Sequence, residues 1–179
     1  QHKAGVLDAA ASLRDRLQAA GVRTKMDESD NSPGWKYAEY EMKGVPLRVE
    51  IGPKDMEKEQ CVIARRDTGE KVFVPLAELE ETVKKLLDAV HDNMYAMALK
   101  NREENTFDIT SPAEAKAVTS GKGGFLRSKW CGSLACELAM KEQAGVSSRC
   151  MPLEQSGTEG VCPVCGKKCT TDIYWGVAY

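Results

Sequence analysis

The stretch VPLRVEI, residues 45–51, decides how the first half of the chain is interpreted. Its apolar residues fall on one face of an extended segment, and its two charged residues, Arg48 and Glu50, fall on the other. Residues 60–66 and 71–76 are predicted to form two further strands, with DTGE as the hairpin turn between them. A Gly-Pro turn is predicted after the first strand. The pattern therefore favours a sheet with one face against a core.

Helices are predicted on both sides of these strands in the chain. Residues 6–21 carry apolar side chains at the three-to-four spacing of an amphipathic helix that ends in a glycine. Ser32 as N-cap and Pro33 at the first helical position predict a second helix, which stops at a glycine. A long helix is predicted over residues 76–101, with an apolar stripe along one side.

This order of elements predicts an α/β fold in which helices lie on both faces of a mixed sheet. Residues 22–28, VRTKMDE, are interpreted as another strand of that sheet. A sheet of this type normally begins with a strand before its first helix, but only QHKAG precedes the first helix here. We therefore expect a C-terminal part of a longer polypeptide, whose first domain covers residues 1–101.

The polar connector NREENTFDITSP leads into a second predicted domain, residues 102–179. Ser111 and Pro112 are typical of a helix start, and the short helix is expected to reach about Val118. Apolar periodicity is weak beyond it, so we expect a small α+β domain with little core of its own. Such a domain needs stabilisation by covalent cross-links or by a bound metal ion.

Five of the seven cysteines lie in two clusters, WCGSLACELAM (130–140) and VCPVCGKKC (161–169). Disulfides are the weaker interpretation, because the count is odd and the sequence indicates an intracellular chain, without a signal peptide or the ~18 apolar residues of a membrane span. Two residues between Cys162 and Cys165 let both thiolates face one tetrahedral metal ion, and Cys131 and Cys136 form a looser pair. The sequence therefore predicts a structural zinc site with these four ligands.

Two alternatives to the zinc site remain. A C-x-x-C redox centre usually opens a helix, whereas the Gly166 that follows this motif favours a turn. The thiols could also be reduced and simply buried. Of the other cysteines, Cys169 could replace one ligand, and Cys61 and Cys150 are expected in the core.

Overall charge does not identify a nucleic-acid-binding protein. The chain has 25 basic and 27 acidic side chains, whereas such proteins are usually basic, so an RNA site must rest on a local surface. Arg48 and Glu50, with Arg65 in the neighbouring strand, are side chains that can bind the edges of unstacked bases. The alternative is a solvated sheet edge with ordinary ion pairs.

Four stretches of the sequence resemble one family. They are DNSPGWKYAEYEMKGVPLRVEIGPKD, CVIARRDTGEK, TSGKGGFLRSKWCGSLACELAMKEQAGVSSRC and YWGVAY. In this order, over nearly the whole chain, they resemble the C-terminal third of prolyl-tRNA synthetases of the archaeal/eukaryotic type, which many bacteria also possess. The related synthetases for threonine, histidine and glycine share the anticodon-binding domain but not the zinc-stapled tail.

The resemblance implies the anticodon-binding fold of class II synthetases, without its first strand, followed by a zinc-binding domain. It implies that the chain recognises the anticodon of tRNA(Pro). The whole enzyme is expected to be a cytoplasmic, homodimeric proline–tRNA ligase, not bound to a membrane, whose proline, ATP and Mg belong to a catalytic domain absent from this chain. The alternative is a freestanding, non-catalytic RNA-binding module. The candidate tRNA-binding residues are Glu41, Lys43, Arg48, Glu50 and Arg65.

The resemblance also implies a role for the last residue, Tyr179, although no catalytic residue is expected within the chain. Its terminal carboxylate would reach toward the active site of the catalytic domain and help to order it. The alternative is that the last strand only packs on the zinc-binding domain.

Overall fold

The computed structural model describes residues 2–178, with side chains from residue 5 onward. The chain divides into two compact units, the first ending at Met97 (unit 1) and the second starting at Ala98 (unit 2). Each unit has its own cluster of buried apolar side chains. The predicted α/β class, with helices and a mixed sheet, is confirmed, but the mixed sheet lies in unit 2, whereas the sheet of unit 1, for which it was expected, is antiparallel.

Unit 1 contains an antiparallel three-stranded sheet and most of the helical residues that the structure describes. The strand order is β1-β2-β3, and Val49 of β1 pairs with Ile63 of β2. Gly69 has a φ of +72° in the predicted hairpin turn between β2 and β3. The elements are α1 (His2–Ala19), α2 (Pro33–Met42), β1 (Leu47–Glu50), α3 (Pro53–Glu57), β2 (Gln60–Arg65), β3 (Lys71–Pro75), a 3-10 turn (Leu76–Glu78) and the first part of α4 (Leu79–Glu104), which continues beyond the unit boundary at Met97.

Helices cover both faces of this sheet. On one face, Cys61 and Ile63 of β2 are fully buried against side chains of α1 and α4, among them Leu17 and Leu79. On the other face lies α2, whose Tyr37 ring contacts a side chain of β1. The apolar face of the sheet therefore fixes the core, and the opposite face is left for charged residues.

The start of α2 follows the prediction from sequence. The Ser32 hydroxyl accepts a hydrogen bond from the backbone N–H of Trp35, and Pro33 occupies the first helical position. The predicted stripe of α4 is buried only in its first half, because Met94 and Met97 are exposed. Although α4 has 26 residues, no helix within residues 2–178 is both long and apolar enough to cross a membrane.

The predicted strand over residues 22–28 is wrong. These residues form no strand, and no described segment pairs with them. Side-chain composition shows only that a segment tolerates an extended backbone, whereas a strand also needs a partner for its N–H and C=O groups. A short helix, which the sequence did not reveal, starts at the predicted Gly-Pro turn. Pro53 is the first residue of α3, and the Asp55 carboxylate accepts a hydrogen bond from the Gly52 N–H.

Unit 2 is built around a mixed four-stranded sheet of order β4-β5-β9-β6, in which β4 and β5 are parallel and the other pairs antiparallel. A separate two-stranded ribbon, β7-β8, carries one cysteine pair at its turn. The elements are β4 (Thr106–Asp108), α5 (Pro112–Ser120), β5 (Phe125–Trp130), α6 (Leu134–Ala144), β6 (Val146–Cys150), β7 (Gly160–Val161), β8 (Lys168–Cys169) and β9 (Thr171–Val177).

The expectation that this part of the chain has little core is wrong. Trp175 is fully buried, and its indole N–H donates to the Ser128 hydroxyl at 2.9 Å. Around it pack Leu126 of β5 and Met140 of α6, a helix that the sequence did not reveal. Unit 2 therefore combines an apolar core with the cysteine cluster instead of relying on the cluster alone.

Candidate functional site

The four predicted zinc ligands lie together. The sulfur atoms of Cys131, Cys136, Cys162 and Cys165 all lie within 4.8 Å of one another. Cys131 directly follows β5, Cys136 lies near the start of α6, and the other two occupy the β7-β8 turn. Three separate elements thus direct thiols to one point, which is the arrangement needed to hold a metal ion.

The turn between β7 and β8 has a tight backbone geometry. The N–H of Cys162 donates to the Lys167 carbonyl at 2.9 Å, and the N–H of Gly166 donates to the Cys162 carbonyl at 2.9 Å. Gly166 has a φ of +70°, a conformation that glycine adopts without strain. The C-x-x-C motif therefore forms a turn and does not open a helix, in contrast to the usual redox centre.

The spacing of the sulfur atoms fits a tetrahedral metal ion. Cys131 and Cys136 have their sulfurs 3.6 Å apart, and Cys131 and Cys165 have theirs 3.7 Å apart. Four sulfurs at ~2.3 Å from a zinc ion would be about 3.8 Å from one another in a tetrahedron. A disulfide would bring two sulfurs to ~2.05 Å, and all seven cysteines of the chain are free.

The pKa values of Cys136 and Cys162 are shifted in opposite directions. Burial alone would raise the pKa of Cys162, but backbone N–H groups of Cys165, Val164 and Cys131 donate to its sulfur and lower the pKa to about 7. Burial and hydrogen bonding with the neighbouring thiols raise the pKa of Cys136 to about 12. A bound cation would favour the deprotonated form of both thiols, because it stabilises all four thiolates together.

The remaining cysteines lie outside this cluster. Cys169 is half-buried on β8 and does not belong to the group of four, and Cys61 is fully buried as expected. The expected burial of Cys150 is wrong, because its side chain is exposed. The register of β6 shifts between Ser148 and Cys150, so Cys150 pairs with Tyr174 and leaves the face that Trp175 occupies.

A second cluster of chemical interest lies where α2 covers the sheet of unit 1. The Arg48 guanidinium donates to Glu41 at 2.8 Å and to Glu50 at 2.9 Å, and Lys71 forms an ion pair with Glu50 at 3.1 Å. The guanidinium carbon of Arg48 lies 3.7 Å from the centre of the Tyr37 ring. These side chains form one connected network that combines cations, carboxylates and an aromatic ring.

Burial and charge act against each other in this network. Burial would raise the pKa of the Glu50 carboxyl, but hydrogen bonds from Arg48 and Lys71 outweigh it and lower the pKa. Burial and the adjacent Glu50 raise the pKa of the Tyr37 hydroxyl. Glu50 therefore remains ionised and Tyr37 neutral at physiological pH.

Arg65 belongs to a different face of the sheet. It pairs with Leu47 across the strands, and its guanidinium donates to Asp67 at 2.7 Å and toward the Ala89 carbonyl of α4. Asn93 donates to the same carboxylate. The hydrogen bond from Arg65 lowers the pKa of Asp67 to about 2, even though burial opposes the shift. The Arg65 guanidinium is thus engaged by Asp67 and directed toward α4, although Arg65 also lines a surface depression together with Glu41 and Arg48.

Lys43 is the C-cap residue of α2 and lies beside Glu39 and Tyr40 of that helix. It forms an ion pair with Glu39, and its ammonium lies 5.5 Å from the centre of the Tyr40 ring, as does that of Lys25. Trp35, on the same helix, is 51% exposed. Lys43 is therefore near the Arg48 network along the helix, but it has its own partners.

Sequence reasoning missed two members of the network, Tyr37 and Lys71. Tyr37 precedes Glu41 by one helical turn, a spacing that puts both side chains on one face of α2. That signal was present in the sequence, but it does not show which strand residue the ring contacts. The last residue, Tyr179, for which an active-site role was expected, lies outside the described residues.

Comparison with known proteins gives consistent matches along the chain. Residues 1–86 match the family described as "Anticodon binding domain", and residues 112–179 match "Prolyl-tRNA synthetase, C-terminal". Over all 179 residues, the chain is 49% identical to "Proline–tRNA ligase 2" of Bacillus cereus. It is 51% identical to "Proline–tRNA ligase" of Clostridium novyi and 50% identical to that of Clostridium botulinum. In each case it spans 37% of the relative's length.

Proposed function

The chain belongs to the prolyl-tRNA synthetase family, and we propose that it forms the anticodon-recognising and zinc-stabilised C-terminal portion of a proline–tRNA ligase. The observation that carries this proposal is identity of about half the positions with such ligases over the full chain. The whole enzyme would activate proline with ATP and Mg and transfer it to tRNA(Pro). It would act in the cytoplasm as a homodimer. Within the chain, we assign residues 1–101 to the anticodon-binding domain and residues 102–179 to the zinc-binding domain.

The chemistry of the Arg48 network supports recognition of guanine. Proline codons begin with two cytosines, so the anticodon of tRNA(Pro) contains two guanines. Guanine presents O6 and N7 as acceptors and its N1–H and amino group as donors. Arg48 can donate to the acceptors and Glu41 can accept from the donors, so this pair of side chains is complementary to that base. Glu50 orders Arg48 from the buried side.

The other candidate tRNA contacts have less direct support. Lys43 lies on the exposed side of α2, where an ammonium group can reach a phosphate. Arg65 is engaged by Asp67, so its contribution to RNA binding would come through the shape of the β2-β3 hairpin. We therefore place Arg48 and Glu41 first among the five candidates.

The proposed zinc ion is structural. Cys131, Cys136, Cys162 and Cys165 supply four thiolates, which leave no open position for substrate or water. The ion would neutralise the charge of the thiolates and cross-link the elements that carry them. It would not take part in a reaction. The chain's own residues close the site, because the β7-β8 turn, β5 and α6 each bring at least one ligand.

The anticodon proposal can be tested with the native polypeptide that contains this chain. Arg48→Ala should lower kcat/KM for charging of tRNA(Pro). The decrease should correspond to a loss of transition-state stabilisation of roughly 1–3 kcal/mol, the value of a direct base contact. Proline-dependent ATP–pyrophosphate exchange, which does not involve the anticodon, should remain at the wild-type rate. Arg14→Ala, at a partly exposed arginine that pairs with Asp15, is the matched control and should leave both reactions unchanged. An equal loss in both reactions for Arg48→Ala would indicate a damaged fold and contradict the assignment.

The same assays separate this function from the alternative of a freestanding RNA-binding module. A proline–tRNA ligase gives proline-dependent ATP–pyrophosphate exchange in its native polypeptide. Binding of tRNA(Pro) without any such exchange would establish the non-catalytic module instead.

A further inference from the structure

We propose that Tyr37 is a positioning residue that fixes the plane of the Arg48 guanidinium for guanine recognition. This inference rests on the anticodon-binding function proposed above. It concerns a side chain that does not itself contact the base edge. Its basis is the short distance of 3.7 Å between the guanidinium carbon of Arg48 and the centre of the Tyr37 ring.

The aromatic ring defines the orientation of the guanidinium. At 3.7 Å the two groups are in van der Waals contact, and an arginine favours stacking on an aromatic face. Tyr37 is held by α2, and Arg48 by the central part of β1. Two rigid elements therefore set the position of the ring and of the Cα atom from which the arginine side chain extends.

Glu50 holds one edge of the same guanidinium. Its carboxylate accepts from Arg48 Nε at 2.9 Å and is only 21% exposed. Lys71 forms an ion pair with Glu50 as well, which keeps the carboxylate in place. Together, the Tyr37 ring and the Glu50 carboxylate restrict both the plane and the rotation of the guanidinium.

Glu41 is the exchangeable partner of Arg48. It is 54% exposed and accepts from Nη1 at 2.8 Å, on the side of the guanidinium away from Nε. When Glu41 moves aside, Nη1 and Nη2 form a free edge that can donate to O6 and N7 of guanine in one plane. The displaced carboxylate stays beside the base and can accept from guanine N1–H and the amino group.

A depression in the surface is available for the base. Its lining includes Tyr37, Glu41 and Arg48, and also Tyr40, Arg65 and Arg66. Arg66 donates to the Glu41 carbonyl at 2.8 Å and so adds a positive charge at the rim. Without the Tyr37 ring, Arg48 would keep its charge but lose its fixed orientation, so discrimination between bases would fall more than general RNA binding.

The test compares Tyr37→Leu, which removes the ring, with Tyr37→Phe, which keeps the ring and removes the hydroxyl. The native polypeptide is assayed with tRNA(Pro) transcripts that carry the anticodon guanines and with transcripts in which either guanine is replaced by adenine. The measured quantity is the ratio of kcat/KM values for guanine and adenine. Tyr95→Leu, at an exposed tyrosine of α4, is the matched control.

Tyr37→Leu should lower this ratio at least ~10-fold, the value of about one lost base contact, while Tyr37→Phe and Tyr95→Leu keep it. Arg48→Lys should cause a similar loss, and the double variant with Tyr37→Leu should lose no more, because both changes remove the same oriented guanidinium. Proline-dependent ATP–pyrophosphate exchange should not change. Full discrimination by a folded Tyr37→Leu protein, or additive losses in the double variant, would overturn the role of Tyr37. A wild-type protein indifferent to the guanines would instead overturn the proposed anticodon recognition itself.

Discussion

The sulfur atoms of Cys131 and Cys165 lie 3.7 Å apart although the two residues are 34 positions apart in the chain. The first follows a strand of the main sheet of unit 2, and the second lies in the turn of the β7-β8 ribbon. A metal ion that joins them closes a long loop of chain. Such a closure stabilises a fold because it removes many conformations from the unfolded state.

Cys162→Ser should therefore remove the bound metal and destabilise unit 2. Zinc content should fall from about one ion per chain to near zero, since a closed structural site needs all four thiolates. Elemental analysis of protein purified without chelator measures the metal, and thermal unfolding measures the stability. Cys150→Ser is the matched control, because Cys150 is exposed and lies outside the cluster. The assignment would be contradicted if wild-type protein contained no zinc and unfolded at the same temperature as Cys162→Ser.

Gly124→Ala should destabilise unit 2 by about 2–4 kcal/mol. Gly124 has a φ of +129°, and an added Cβ would lie 2.5 Å from the Asn105 carbonyl oxygen, so backbone strain and a steric clash add together. Gly123→Ala is the comparison, because Gly123 has a φ of +75° with no atom within 4 Å of an added Cβ. It should cost only about 1–2 kcal/mol. Urea unfolding of both variants measures the difference, and equal costs would show that the clash is relieved by a backbone shift.

Acid should weaken the tie between the β2-β3 hairpin and α4. The pKa of Asp67 is about 2 in the folded chain, below the ordinary aspartate value of 3.8, mainly because Arg65 donates to the carboxylate. A lowered pKa contributes stability that is fully present above pH ~4 and is lost as the pH falls through about 2. Asp67→Asn should therefore show a weaker dependence of the free energy of unfolding on pH in that window.

The control for this experiment is Asp92→Asn, at an exposed residue of α4 for which the described residues include no ion-pair partner. Urea unfolding at a series of pH values from 2 to 5 gives the slope for each protein. Asp92→Asn should keep the wild-type slope. A wild-type slope in Asp67→Asn would show that other carboxylates account for the acid sensitivity.

Ser128→Ala should destabilise the core of unit 2 by about 1–3 kcal/mol, the usual cost of an unsatisfied buried donor. The Ser128 hydroxyl accepts from the indole N–H of Trp175, which is fully buried and would lose its partner. Ser120→Ala, at an exposed position at the end of α5, should change the stability by less than about 0.5 kcal/mol. Thermal unfolding distinguishes the two, and equal effects would indicate that water replaces the hydroxyl.

Local signals allowed much of unit 1 to be predicted from sequence. The Ser32 cap, Pro33 and the DTGE turn act over a few residues, so the sequence itself contains nearly all of the information that they need. The strand predicted over residues 22–28 failed for the opposite reason. A strand depends on hydrogen bonds to a distant segment, and no property of those seven residues specifies a partner.

Helix α6 shows why unit 2 was harder to predict. Its buried side consists of Cys136, Met140 and Ala144, whereas Leu134 and Leu138 are exposed. Apolar residues on both sides of a helix hide the periodicity that identifies its buried face. The four cysteines of the cluster could be grouped from their spacing alone, because metal-ligand geometry is local within each pair. Tyr37 was missed because its contact with Arg48 depends on how α2 packs on the sheet.

The position of Cys136 on α6 has a consequence for the dynamics of unit 2. The same face of this helix carries Cys136 in the cluster and, one and two turns later, Met140 and Ala144 in the apolar core. A metal ion held by Cys136 would therefore restrain the opening of the core, and not only the loops that surround the ion. The backbone amide of Met140 should exchange its hydrogen more slowly as the free metal concentration rises, because binding to the closed state lowers the population of the open one.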